Sequence, residues 1–282
     1  MRRKITPILI ISFLLLSAAT NAQSVRNILD KMYTAIGSIQ SMSYEMTSQE
    51  RINSRMEIRN SKFKIQVSPR KLYMKNKDSG VELLYVAGWN SNQAYVNPNG
   101  FPWVNLSFDT NSPKVRNDGH HPVTHAGFSY LSTVMRHTEK LILQSGLRVE
   151  DHFKVTGDVT WNGSSCTRIV MDDVNFKFIT HTCTHSETLL AMCERLHISE
   201  YLVMEKNKLG YAAKVSKGMT LQIPSGFAKK VELYIDKTNN LPVAQFIYDQ
   251  KGFLEKYEFK NLVLNPKLEI SEWTTQCASY GF

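Results

Sequence analysis

Leu233-Tyr234-Ile235-Asp236-Lys237-Thr238-Asn239-Asn240-Leu241-Pro242-Val243 decides the fold, read with the two stretches just beyond it. These are Tyr248-Asp249-Gln250-Lys251-Gly252 and Tyr257-Glu258-Phe259-Lys260-Asn261-Leu262-Val263-Leu264-Asn265-Pro266. Turn formers at Asp236–Asn240 and Asp249–Gly252 separate three runs, Lys230–Ile235, Ala244–Tyr248 and Lys256–Leu264. Alternating apolar runs joined by short Asn/Asp/Gly turns read as antiparallel hairpins. One face of each hairpin is apolar and has to be covered.

Upstream the same pattern recurs. Met42, Tyr44 and Met46 alternate with Ser43 and Glu45, and Phe63, Ile65 and Val67 alternate with Lys64 and Gln66. Ser68-Pro69-Arg70 reads as a turn, after which Leu72 and Met74 resume the alternation. Asp78-Ser79-Gly80 is a further turn before strands at Val81–Ala87 and Ala94–Val96. Strands are also expected at Val149–Val155 and Cys166–Asp172. Two segments carry helical spacing instead: Val25, Ile28, Leu29, Met32, Tyr33 and Ile36, closed by Gly37, and the run from Phe128 to Leu143. Asn97–Trp103 and Pro113–His125 read as irregular. Successive hairpins with two amphipathic helices give an α+β fold, a curved antiparallel half-barrel with helices on the concave side.

The balance is that of a globular chain, with 42% hydrophobic and 21% charged residues, and 10% aromatics lean towards β structure. Residues 1–22 read as a secretory signal: Arg2, Arg3 and Lys4, an apolar run from Ile8 to Leu16, then small residues leading to cleavage after Ala22. Removing them takes Lys+Arg from 34 to 31 against 25 Asp+Glu, which leaves a net charge of +6. A mildly basic exported chain can approach anionic head groups or wall polymers, so peripheral membrane contact is allowed. No dense Lys/Arg run points to nucleic acid. Cys166, Cys183, Cys193 and Cys277 permit three full pairings in an oxidising compartment. No Cys-x-x-Cys spacing suggests zinc or thioredoxin chemistry.

The closing hairpins quoted above are similar to the end of LolA-type lipoprotein carrier domains, with their Asp-x-x-Thr-x-Leu-Pro, Tyr-Asp-x-x-Gly and Tyr-x-Phe-x-Asn-Leu-x-Leu-Asn patterns. The middle, with Ser68-Pro69-Arg70 and Asn97-Pro98-Asn99-Gly100-Phe101-Pro102, resembles a family of exported bacterial proteins without an assigned activity. The resemblance implies a pocket for acyl chains between sheet and helices, placed in the periplasm or cell envelope of a gram-negative bacterium. Its wall would be Met42, Tyr44, Met46, Phe63, Ile65, Val67, Leu72, Met74 and Trp103. The flexible Met side chains suit a variable ligand.

Between Phe178 and Pro224 the pattern changes to strand, helix, helix, strand. Ser186-Glu187-Thr188-Leu189-Leu190-Ala191-Met192-Cys193 resembles the opening of a LysM module, and Val215-Ser216-Lys217-Gly218-Met219-Thr220-Leu221-Gln222-Ile223-Pro224 resembles its closing strand. The organisation expected is therefore a signal peptide at 1–22, a LolA-like half-barrel at 23–177, a LysM-like insertion at 178–225, closing half-barrel strands at 226–270 and a tail at 271–282. The resemblance implies binding of peptidoglycan or another N-acetylglucosamine-containing glycan. Glu187, Thr188 and Leu189 would form one side of the groove, and Asn207, Lys208, Leu209 and Gly210 the other. Ser186 stands where such modules usually carry Gly, and Cys183 and Cys193 are additions to the pattern that invite pairing.

Catalytic and metal motifs are weak. His120, His121 and His125 form a cluster, but no Cys completes a zinc set and no His-Glu-x-x-His helix is present. No metal and no cofactor are expected, and no Gly-x-Ser-x-Gly elbow or phosphate-cradling loop is found. The sequence reads as a non-catalytic envelope protein that binds glycan and possesses a pocket for lipid or lipoprotein acyl chains. The alternatives are a LysM-targeted cell-wall hydrolase, in which paired carboxylates would act, and a sensor or scaffold for protein partners.

Overall fold

The computed structural model describes residues 24–116 and 119–282. The expected export signal lies outside the described residues. The chain runs α1 (Val25–Gly37), β1 (Ser41–Ile52), β2 (Arg55–Gln66), β3 (Lys71–Asn76), β4 (Glu82–Val86), β5 (Gln93–Asn97) and β6 (Leu106–Asp109). Next come α2 (Pro113–Arg116), α3 (Ser129–Gln144), α4 (Val149–His152), β7 (Phe153–Trp161) and β8 (Ser164–Asp172). The inserted unit contains β9 (Phe178–Thr182), β10 (Glu187–Thr188), α5 (Leu189–Leu196), α6 (Glu200–Asn207), β11 (Lys214–Val215) and β12 (Thr220–Pro224). The hairpins β13 (Lys230–Asp236), β14 (Pro242–Asp249) and β15 (Gly252–Leu264) close the fold.

One open, curved antiparallel sheet of eleven strands has the order β6-β5-β4-β3-β2-β1-β15-β14-β13-β8-β7. Its centre is the pairing of β1 with β15, which joins Met42 to Leu264 across the length of the chain. Helices α1 and α3 cover one face. Ser24 caps α1 by accepting from Asn27 N at 3.3 Å, and Leu29, Met32, Tyr33 and Ile36 face inward. Leu131, Val134, Met135 and Ile142 do the same from α3. Across from them lie Met42, Tyr44, Phe63, Ile65, Leu72, Ile169, Leu233 and Ile247, the inward set that strand alternation presents to one core. The opposite face is sheltered over β3 and β4 by the C-terminal segment, where Trp273 packs with Tyr73, Leu84 and Val86.

Two expectations change. Val149–Val155 is not one strand: Val149–His152 forms a helical turn before β7 begins at Phe153. The residues after 270 are more than a tail, because Trp273 is 1% exposed and Tyr280 stacks on Tyr73 at 3.7 Å. Neither was legible from periodicity, since a single helical turn and a docked coil have none.

Residues 178–225 form a unit with its own small core of Leu189, Met192, Cys193, Val203, Val215 and Leu221. β9 pairs with β12, and β10 pairs antiparallel with β11. Two short strands precede the helix pair and two follow it. All four cysteines are unpaired thiols, including Cys183 and Cys193, which share this core. Among the described residues no helix is long and apolar enough to cross a membrane.

Candidate functional site

Strand alternation builds the site from one face of β1 and β15. On β1, Met46, Ser48, Glu50 and Ile52 continue the inward parity of Met42 and Tyr44, so an acidic residue stands at a core position. On β15, Glu255, Tyr257 and Phe259 share that parity. The register sets Met46 opposite Phe259, Ser48 opposite Tyr257 and Glu50 opposite Glu255. Two carboxylates thus face each other across neighbouring strands, an arrangement that is destabilising unless cations attend it. Glu50 and Glu255 are 4% and 2% exposed.

The loop between α2 and α3 supplies the partners. Arg70 donates to the carbonyls of Thr124 at 2.9 Å and Ala126 at 2.7 Å, which pins the loop over the sheet. Gly127 has φ +91°, and a Cβ there would meet Met42 Cε at 2.6 Å, so the close approach of loop to strand needs glycine. The loop delivers His120, 1% exposed, into the cross-strand pair. His120 Nδ1 lies 2.6 Å from Glu255 Oε2, and His120 Nε2 lies 3.1 Å from the Arg51 carbonyl. The His120 amide donates to Glu50 Oε2 at 3.3 Å, and Arg59 donates to the same oxygen at 2.9 Å. Tyr257 donates to Glu50 Oε1 at 2.5 Å and also lies 3.1 Å from Glu255 Oε2. His121 Nε2 sits 3.2 Å from Glu255 Oε1.

These contacts fix the charge states. Burial opposes ionisation of Glu255, but His121 and His120 outweigh it and hold the carboxyl well below its usual range. Burial also opposes a charge on His120, yet the hydrogen bond to Glu255 and the nearby Glu50 raise its pKa overall. Tyr257 is pushed far up by burial and by the two carboxylates, so it is a neutral donor.

The polar cluster forms one end of a cavity of about 180 Å³ between the sheet and α3. Met46, Phe63, Met74, Leu131, Val134 and Phe259 supply apolar wall, while Glu50, Arg59, His121, Glu255 and Tyr257 line the polar end. Of the nine expected wall residues, Met46, Phe63 and Met74 line this space. Met42, Tyr44, Ile65 and Leu72 are instead fully packed in the core, with Val67 half-buried against it. Trp103 departs furthest: it is 80% exposed in the loop after β5. Sequence reasoning passed over Glu50, Arg59, Glu255 and Tyr257. The signal was an acidic residue in the inward phase of a strand, visible only once β1 is extended beyond Met46.

The inserted unit abuts this loop. Arg116 pairs with Glu200 at 2.9 Å, donates to the His120 carbonyl at 2.8 Å and lies over the Tyr211 ring at 4.5 Å. Tyr201 stacks on the His120 ring at 3.9 Å, and His125 Nε2 meets Glu194 at 2.7 Å. Burial holds the His125 pKa below its ordinary value, with Glu194 pulling the other way.

The seven expected glycan residues are placed as follows. Thr188 caps α5, accepting from Ala191 N at 3.2 Å, and Glu187 is ion-paired with Arg195. Leu189 is fully buried, so its side chain is core and cannot stack on a sugar ring. Its amide donates to the Ala213 carbonyl at 2.8 Å, which stitches the start of α5 to the loop after α6. Asn207 is engaged in a clasp on β12, with Nδ2 on the Gln222 carbonyl at 2.8 Å and Oδ1 accepting from Gln222 N at 2.9 Å. Lys208 has φ +56° and, with Gly210, is exposed, while Leu209 is half-buried.

Comparison with known proteins adds the following. No curated protein matches the chain. Among solved structures it is similar to LprF from Mycobacterium bovis, at 11% identity over 86% of this chain and 94% of that one, with a TM-score of 0.41. It is similar to a putative outer membrane lipoprotein-sorting protein domain from Vibrio parahaemolyticus, at 11% identity over 88% and 94%, with a TM-score of 0.32. It is also similar to the LolA superfamily protein NE2245 from Nitrosomonas europaea, at 9% identity over 90% and 98%, with a TM-score of 0.32. A family model described as "Protein of unknown function (DUF1571)" matches residues 39–190, more than half of the 282 residues, and the chain belongs to that family.

Proposed function

We propose that this chain is a non-catalytic binding protein of the cell envelope that holds an amphipathic ligand, the acyl chain of a lipid or lipoprotein, between its sheet and α3. The observation that carries the reading is the cavity of about 180 Å³, apolar along one side and closed by buried charge at one end. An engineered apolar cavity of about 150 Å³ already holds benzene, so this space accommodates part of an acyl chain. Apolar walls with a few placed polar groups are the usual make-up of a small-molecule pocket. The reading of residues 1–22 supports export, and the resemblance of the closing hairpins to lipoprotein carrier domains supports a gram-negative periplasm or cell envelope.

The test is solvent extraction of the purified folded protein followed by lipid mass spectrometry. Acyl-bearing species should co-purify with the wild type and be depleted in Val134→Trp, whose ring would occupy the cavity. Extracts without lipid, from protein that also fails to bind a fluorescent fatty-acid probe, would overturn the reading.

A second reading concerns the inserted unit, whose strand, helix, helix, strand order is that of the LysM module it resembles. It would bind peptidoglycan through the exposed edge formed by Thr188, Lys208 and Gly210, with Glu187, Leu209 and Asn207 supporting it. Co-sedimentation with purified peptidoglycan, lost in Gly210→Trp, supports this role. Protein that stays in the supernatant removes it, and dye release from labelled peptidoglycan would reveal a hydrolase instead.

A further inference from the structure

The geometry points to a binding site for a first-row divalent cation, zinc or manganese, held by His120 Nδ1 and one oxygen each of Glu50 and Glu255. The three ligand atoms lie within 4.8 Å of one another, and all three residues are buried.

Hydrogen-bond bookkeeping at His120 favours a metal ligand. The Arg51 carbonyl can only accept, so Nε2, 3.1 Å away, carries the ring hydrogen. Nδ1, 2.6 Å from Glu255 Oε2, then carries the second proton, and its loss to a cation would leave the Nδ1 lone pair aimed between the carboxylates. A ligating histidine typically donates its other ring N–H to a carbonyl or carboxylate in this way. The ring cannot swing out, because Tyr201 stacks on it at 3.9 Å.

Charge makes a second argument. Cross-strand register forces Glu50 and Glu255 together in the interior, and unpaired buried charge is expensive. Arg59 at 2.9 Å and Tyr257 at 2.5 Å attend Glu50, and His120 at 2.6 Å and His121 at 3.2 Å attend Glu255. A divalent cation replacing the Nδ1 proton would neutralise both carboxylates from one point. One imidazole with two carboxylates is a donor set suited to zinc or manganese rather than to magnesium or calcium. Glu50 and Glu255 also line the cavity, so the ion would face the polar end of whatever the cavity holds.

The experiment is calorimetric titration of chelator-treated, dialysed full-length mature protein with Zn²⁺ and with Mn²⁺. One equivalent should bind to the wild type. His120→Ala and Glu255→Gln should each weaken it at least ~100-fold, the upper end of what even outer-shell changes cost. His137→Ala should leave affinity unchanged; it alters the separate His137–His197 pair, whose rings lie 4.1 Å apart. No uptake by the wild type overturns the proposal and leaves a closed ion-pair network. Uptake retained in both ligand variants, or abolished by His137→Ala, also overturns it. Should the ligand variants fail to fold, anomalous diffraction from zinc-soaked wild-type crystals decides: a peak among the three ligands supports the site, and a peak elsewhere or none sinks it. The site is independent of the acyl reading, since lipid-free protein that binds zinc keeps one and loses the other.

Discussion

Gly127→Ala is the sharpest probe of how the loop carrying His120, His121 and His125 is held on the sheet. The new methyl would sit 2.6 Å from Met42 Cε and 3.6 Å from Ile65 Cδ1, in a backbone conformation with φ +91°. Met42 is 1% exposed and has little room to retreat. A left-handed conformation costs an L-residue roughly 1–2 kcal/mol, and overpacking a filled core costs about 1–3 kcal/mol. The expected destabilisation is therefore about 2–5 kcal/mol. Met42→Ala alone should cost roughly 2–5 kcal/mol by leaving a void. The two effects should not add, because the void receives the methyl. The double variant should be more stable than the sum by about 1–3 kcal/mol, the packing share of the Gly127→Ala penalty. Urea unfolding followed by tryptophan fluorescence measures all four proteins. Additivity to within about 0.5 kcal/mol, or a Gly127→Ala variant less than ~1 kcal/mol below wild type, would refute the close packing of loop on strand.

Arg116→Leu should cost about 3–5 kcal/mol by stranding the buried Glu200, and Glu200→Leu added to it should recover part of the loss; chemical denaturation reads both. Trp273→Ala should cost about 3–5 kcal/mol and release the C-terminal segment, seen as faster tryptic cleavage after Lys267; an unchanged cleavage rate contradicts the docking. His125 has a depressed pKa in the folded chain, so the unfolded chain binds more protons as pH falls through the ordinary histidine value of about 6.5. Stability held above that value is lost on acidification, and His125→Gln should lose less than wild type between about pH 7.5 and about pH 5.5. Glu139 has a raised pKa, chiefly from burial, with Tyr33 and Arg26 opposing, so stability present at low pH is lost as pH rises through its folded value. Glu139→Gln should raise the melting temperature at neutral pH and leave it unchanged in acid; a lower neutral value counts against the assignment.

The hairpins, both helices and the inserted unit were legible because each is written in local periodicity. Met42, Tyr44 and Met46 announce a strand, and Leu189, Leu190 and Cys193 announce a helix, although Met192 rather than the half-buried Leu190 completes its buried face. The site was less legible. His120 stood out as one of three neighbouring histidines, but its partners are 70 and 135 residues away in the chain. The histidines do not act as a set: His120 and His121 share Glu255, while His125 turns to Glu194 on the inserted unit.

By itself the sequence determined the long strands and the two long helices, since the side-chain periods of two and 3.6 follow from backbone geometry alone, but not the short elements Leu106–Asp109, Pro113–Arg116 and Val149–His152. It also marked a change of pattern between Phe178 and Pro224. Only the tertiary structure decided that β1 lies against β15 in the register that sets Glu50 opposite Glu255, because pairing between distant strands is fixed by the joint packing of both faces. It likewise decided which apolar residues fill the core and which border a space. That depends on the path of the loop held by Arg70 and Gly127, and no pattern along the chain records it.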